Sequence, residues 1–111
     1  MNTSHYKIIV FVPLTHTDVV RKAMGDAGAG VIGNYHYCSF SSIGIGRSFP
    51  LKGANPFIGE VGILEEIEEE RIEMVCAKHK VKEVINAMRT VHPYDEVAFD
   101  IFQIIDDKEF D

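Results

Sequence analysis

Three short stretches hold most of the chemistry-bearing side chains of this 111-residue chain. His36 and Cys38 stand two apart. On an extended strand they face the same side, and imidazole and thiolate both ligate a divalent ion such as zinc or copper. Two donors do not complete a site, so a third must come from elsewhere, such as His92 or Glu96. His92, Tyr94 and Glu96 alternate ahead of a last apolar run. One reading makes them the edge of a metal or small-ligand cleft, where titratable groups converge. The other gives His92 to a helix C-terminus, where the helix dipole favours it, and leaves Pro93-Tyr94 to shape a turn. Arg47 and Lys52 are the two cationic residues of the glycine-rich middle. Guanidinium and ammonium both greet anions, or they simply keep the loop in water. Gly44-Ile45-Gly46 lacks the Gly-Lys-Ser/Thr that a nucleotide-binding loop requires. Ser39, Ser41 and Ser42 have no evident His–acid partners, and Cys38 has only His36 nearby as a base.

The surrounding sequence must position these groups. Lys7 to Val12 is apolar and rich in β-branched residues, the pattern of a strand that Pro13 ends. Thr15 or Thr17 can cap a helix whose stripe is Val19, Val20, Ala23, Met24 and Ala27, with Gly28 and Gly30 stopping it. The same grammar returns later. Arg71 to Cys76 alternates like a strand, and Val81, Val84, Ile85, Met88 and Val91 recur at helical spacing. His92-Pro93 closes that helix, and Glu96 to Ile105 reads as a final strand. The halves align without a gap at an offset of 64: Ile8 with Ile72, Val20 with Val84, Met24 with Met88. Two strand–helix–strand units in one short chain are the split βαβ plan of the ferredoxin-like fold. The expected class is α+β, an antiparallel sheet with two helices on one face, as one domain over 1–111. A second strand belongs within Tyr37 to Phe49. Ile8, Val10 and Val12 point one way and Ile9 and Phe11 the other, so both sheet faces ask for cover.

Residues 28–62 carry eight of the nine glycines, interrupted by Val31, Ile32, Tyr35, Phe40, Phe49, Phe57 and Ile58. Such a segment reads as ordered loops around one strand, and a long ordered excursion in a small domain is usually functional. It contains Gly33-Asn34-Tyr35-His36-Tyr37-Cys38-Ser39-Phe40 and Gly53-Ala54-Asn55-Pro56-Phe57-Ile58-Gly59. His92-Pro93-Tyr94-Asp95-Glu96 follows, then Asp100. In this order the three motifs resemble the PII/CutA-like domain inserted in many bacterial Nif-three-like (YqfO-type) proteins. His-Pro-Tyr before the last strand also resembles the CutA cation-tolerance proteins. The resemblance spans about Lys7 to Ile105. It implies a ferredoxin-like fold assembled as a homotrimer with the sheets facing inward. The two-metal site of the larger relatives lies in a flanking domain that the resemblance does not reach, so that centre is not carried over. The candidate ligand-binding residues are Asn34, Tyr35, Arg47, Lys52, Asn55, Phe57 and Tyr94. The candidate metal ligands are His36, Cys38, His92 and Glu96. The turns after the two helices are equivalent in the half-repeats, and are expected at one end of the sheet or joined through a neighbouring subunit.

Composition bounds what the chain can serve. A formal net charge of −6 argues against nucleic acid or an anionic membrane as partner. Glu65 to Glu70 and the tail from Asp106 to Asp111 read as a solvated turn and a frayed end. The polar start, Met1 to Tyr6, lacks the apolar stretch of a signal peptide, and no segment has the length of a membrane span. Cys38 and Cys76 form no CxxC pair, which suits reduced thiols in the cytoplasm. Two functions follow. One is a trimeric accessory or regulatory module that binds a small molecule, a divalent cation or a partner protein in clefts between subunits. The other is a metal-dependent enzyme whose site is built across the interface. Near-stoichiometric metal in the purified protein would distinguish the enzyme.

Overall fold

The computed structural model describes residues 5–110. The expectations for Met1 to Ser4 and for Asp111 lie outside the described residues. Strand β1 is His5–Pro13 and helix α1 is Thr17–Asp26. Strands β2 and β3 are Phe40–Ser48 and Glu65–Ala77. Helix α2 is Val81–Val91 and strand β4 is Phe99–Gln103. The sheet order is β2-β3-β1-β4 and every pairing is antiparallel, which is the ferredoxin-like arrangement.

Register explains the core. Ile8 and Val10 lie opposite Met74 and Ile72 on β3 and opposite Ile101 and Phe99 on β4. Paired residues share a face, so these side chains make one apolar patch. Val20 and Met24 of α1 and Val84, Ile85 and Met88 of α2 close over it, with Val12, Ala29 and Cys76 in the same cluster. Helix α1 ends as the glycines require: Gly28 takes φ +118°, and the Ala29 amide donates to Met24 O at 3.0 Å. Helix α2 ends because Pro93 holds His92 extended, at ψ 133°. No threonine caps α1 by a side-chain hydrogen bond, and the buried Thr17 hydroxyl has no partner.

Several expectations change. The run Glu65 to Glu70 is strand, not a solvated turn. Three of its five carboxylates meet partners on other elements: Glu66 pairs with Arg47 at 2.7 Å, Glu70 with Arg21 at 4.0 Å, and Glu69 accepts from the Tyr94 hydroxyl at 2.7 Å. The last strand is shorter than expected, and the tail forms a 3-10 turn over Asp107–Phe110 tied by the Lys108 amide to Asp106 Oδ1. On the open sheet face Ile9 and Phe11 are screened within the chain, whereas Phe40 and Phe102, which share that face, stand 66% and 52% exposed. Ile9 is buried between Glu73 and Asp100, and the Arg71 guanidinium lies 5.9 Å from the Phe11 ring centroid.

More surface lacks cover along the β2 edge. Glu65 to Glu68 pair with β2 alone, so β2 and the start of β3 form a two-stranded ribbon past the helices, in a molecule 52 × 25 × 23 Å. Ile45 stands 56% exposed on it, with Phe49, Leu51 and Leu64 exposed in the segments that follow β2 and precede β3, and Phe40 and Ile43 are exposed on the same edge strand where the sheet is wider. The turns after the two helices also lie at opposite ends of the sheet, not at one end. β1 and β3 are antiparallel, so the symmetry relating the half-repeats exchanges the ends.

Candidate functional site

A cleft of about 320 Å³ opens at the end of the sheet where α2 gives way to β4. Its floor is Phe11, Ile67 and Glu69, one wall is Gly46 to Pro50, and the others are Ala54, Pro56, Phe57 and Ile58 and the turn Tyr94 to Glu96. The 54–58 loop is fixed in place. The Asn55 amide donates to Asp95 Oδ2 at 2.9 Å, and the Gly62 amide donates to Pro50 O at 2.8 Å. Phe57 meets the His16 ring edge-on at 5.4 Å and tilts against Tyr94 at 6.4 Å.

His92 anchors this turn from beneath. It is buried, its Nε2 is 2.8 Å from Phe11 O, and its Nδ1 accepts the Tyr94 amide at 3.2 Å. An Nδ1 that accepts leaves Nε2 to carry the proton and donate to the strand carbonyl. Burial holds the His92 imidazolium below the ordinary histidine range, which keeps the ring neutral. Tyr94 stacks on that ring at 4.8 Å and donates its hydroxyl to Glu69 Oε2. Burial, and then the Glu69 hydrogen bond, raise the phenol well above its usual range. The other Glu69 oxygen lies over Gly46, where a Cβ would overlap it. The glycine thus gives the carboxylate its room.

Arg47, Phe57, Tyr94 and Glu96 of the expected residues line this cleft, and Asn55 braces its rim. Arg47 is paired with Glu66, so its charge is already answered. Lys52 is exposed on the neighbouring loop. Asn34, Tyr35, His36 and Cys38 lie at the far end, in a segment held by its own contacts. The Gly30 amide donates to Val75 O at 2.7 Å and the Cys38 amide to Gly30 O at 2.8 Å. Tyr37, at φ +59°, lays its ring on Gly25 and donates to Asp26 at 2.6 Å. The Lys22 and Tyr37 hydrogen bonds lower the Asp26 carboxyl. One chain therefore does not gather His36 and Cys38 with His92 and Glu96, and His92 is committed to Phe11 and Tyr94. Among the described residues no three His, Cys, Asp or Glu side chains assemble a metal site. Glu69, Asp95, His16 and Phe49 escaped the sequence reading. Glu69 is hidden within a run of glutamates, and its only signal is the alternation of β3 against Gly46.

An antiparallel β2-β3-β1-β4 sheet under two helices, with a cleft beside the second helix, defines a ferredoxin-like domain of the PII/CutA-like kind. No family model matches the chain. A relative from Halalkalibacterium halodurans, named GTP cyclohydrolase 1 type 2 homolog, is 50% identical over 106 residues, 96% of this chain and 28% of the relative. Its Bacillus subtilis namesake is 55% identical over 98 residues, 88% of this chain and 26% of the relative. The crystal structure of a Bacillus cereus protein related to NIF3 superposes with a TM-score of 0.81 at 47% identity, covering 94% of this chain and 26% of that one. The periplasmic divalent cation tolerance protein CutA from Archaeoglobus fulgidus shares the fold, with a TM-score of 0.67 at 17% identity over 96% of this chain and 90% of that one. The chain is thus homologous to the PII/CutA-like segment of the NIF3-related proteins. It spans about a quarter of the length of the curated relatives it matches.

Proposed function

We propose that this domain is an accessory binding module that assembles as a homotrimer and takes a small ligand in the Tyr94 cleft. The observation that carries the assembly is the projecting ribbon. Exposed apolar residues along a rigid two-stranded arm are a surface built to be covered. An arm that reaches past its own helices finds that cover on the next copy, and head-to-tail contacts of this kind close into rings. Three copies is the number that the PII/CutA-like resemblance implies. The ligand site is the cleft at the ribbon's base, where an apolar wall surrounds a few fixed polar groups. Arg47 and Ser48 of β2 belong to both, so assembly and ligand binding share a strand.

Light scattering tests the assembly. The expected mass is three times the 12.5 kDa protomer. Ile45→Glu is expected to shift it toward one protomer, because a charge forced into a covered apolar contact costs several kcal/mol. A wild-type monomer at micromolar concentration, or a trimer unmoved by Ile45→Glu, would remove the ribbon from the interface.

A further inference from the structure

The geometry points to a ligand with a positively charged organic head on an apolar body, such as a small alkyl- or arylammonium ion, as the occupant of the Tyr94 cleft. The inference rests on the cleft being the ligand site and goes on to name what it selects. Three carboxylates line it, those of Glu69, Asp95 and Glu96, against one cation, Arg47. Arg47 spends its charge on Glu66, so the cleft has a net negative character. Glu69 is set on the floor beside Phe11, with Gly46 leaving its second oxygen room. A carboxylate held in that way invites a donor that carries charge, since charge-assisted hydrogen bonds are the strong ones.

The walls specify the remainder of the ligand. Phe11, Phe49, Phe57 and Tyr94 present aromatic rings to the space. Aromatic faces attract organic cations and also bury an apolar body. An anion would meet three like charges and a guanidinium already engaged, so the Arg47 side of the cleft does not select phosphates or carboxylates. A volume of about 320 Å³ suits a free small molecule and not a folded partner.

The test is a titration of the isotope-labelled protein followed by backbone amide NMR. The probes are 2-phenylethylamine, its neutral counterpart 2-phenylethanol and the anion 3-phenylpropanoate. The amine is expected to move the Gly46, Tyr94 and Asp95 signals, with an affinity about tenfold above the alcohol, and the anion weaker again. Added salt should narrow the gap between amine and alcohol. Glu69→Gln keeps an acceptor for the Tyr94 hydroxyl. It should cost the amine about tenfold and leave the alcohol unchanged. An anion binding as tightly as the amine, silence of the cleft signals with every probe, or an unchanged amine affinity in Glu69→Gln would each overturn the inference. Light scattering on the same samples separates the two readings. A trimer that ignores the amine defeats the cation and not the assembly, whereas a monomer that binds the amine defeats the assembly and not the cation.

Discussion

Gly46→Ala probes how Gly46, Glu69 and Tyr94 hold one another. Gly46 sits in β2 opposite Ile67, diagonally across from Glu69. A Cβ built there would lie 2.5 Å from the Glu69 Cδ and 3.2 Å from its Oε2. The carboxylate is the free end of a flexible side chain, so it swings aside and the strand stays. What is lost is the 2.7 Å bond from the Tyr94 hydroxyl. A hydrogen bond to a charged group contributes about 1.5–3 kcal/mol, and partial exposure lowers this to about 1–2 kcal/mol. Alanine in place of a strand glycine returns about 0.5–1 kcal/mol of backbone entropy. The net loss is therefore about 0.5–1 kcal/mol in the wild-type background. In a Tyr94→Phe background there is no such bond to lose, and Gly46→Ala should be neutral or stabilising by about 0.5 kcal/mol. The double-mutant cycle should show a coupling of about 1–2 kcal/mol. The assay is urea unfolding of the four proteins at one protomer concentration, because an oligomer's stability depends on concentration. Simple additivity of the two substitutions would refute the linkage of the three residues.

The buried His92 makes stability fall on acidification. Its folded pKa is lowered, so the unfolded chain binds more protons, and stability present above about pH 6.5 drops as pH falls through that value toward the lowered one. Thermal melts between pH 7.5 and 5 should show a step that His92→Asn removes, and identical profiles would exclude His92 as its source. Phe57→Ala should cost about 1 kcal/mol, half the value for full burial, because the ring is 46% exposed. A loss above about 3 kcal/mol would mean that a neighbouring copy covers it. Gly25→Ala should expel the Tyr37 ring, whose Cε1 lies 2.7 Å from the added Cβ. Limited proteolysis between Val31 and Cys38 should then speed up, and unchanged cleavage would count against the Tyr37–Asp26 clasp.

Periodicity made the fold legible. The helical stripes at Val20 and Met24, and at Val84 and Met88, are the observed core, and the strand at Lys7 to Val12 lies where its β-branched run places it. The glutamate run was misread because a polar window looks solvated until partners far away in sequence are known, such as Arg47, Arg21 and Tyr94. The open face was legible only in part, for a related reason. Strand parity shows where Ile9 and Phe11 point, but not that Arg71, Glu73 and Asp100 on neighbouring strands will lie around them. Half of the candidate site was visible as the motif His92 to Glu96. Its counterpart across the cleft depends on register, because only the pairing of β2 with β3 brings Gly46 near Glu69.

The repeat also explains why the two ends of the sheet differ: a cavity of about 470 Å³ beside Val31 to Gly33, Val75 and Ile104 to Asp107 lies at the far end, and the Tyr94 cleft at the other. Phe11 and Val75 are equivalent in the two halves, 64 positions apart, as are Gly28 and His92. Each half secures the chain after its helix to that same strand carbonyl. In the first half the main chain makes the bond: the Gly30 amide donates directly to Val75 O. A side chain at position 30 would collide with the Cys38 backbone, so the return is tight at that point. In the second half a side chain makes the bond, from His92 Nε2 to Phe11 O. The turn that follows stands off from the strand by the reach of an imidazole. Pro93 keeps it from coiling back, and the ring's other nitrogen fixes the Tyr94 amide. Tyr94 then crosses the gap to Glu69, and the space beside them is the cleft. One substitution class, glycine in one half and histidine with proline in the other, turns a tight main-chain return into a turn held off the strand by a side chain.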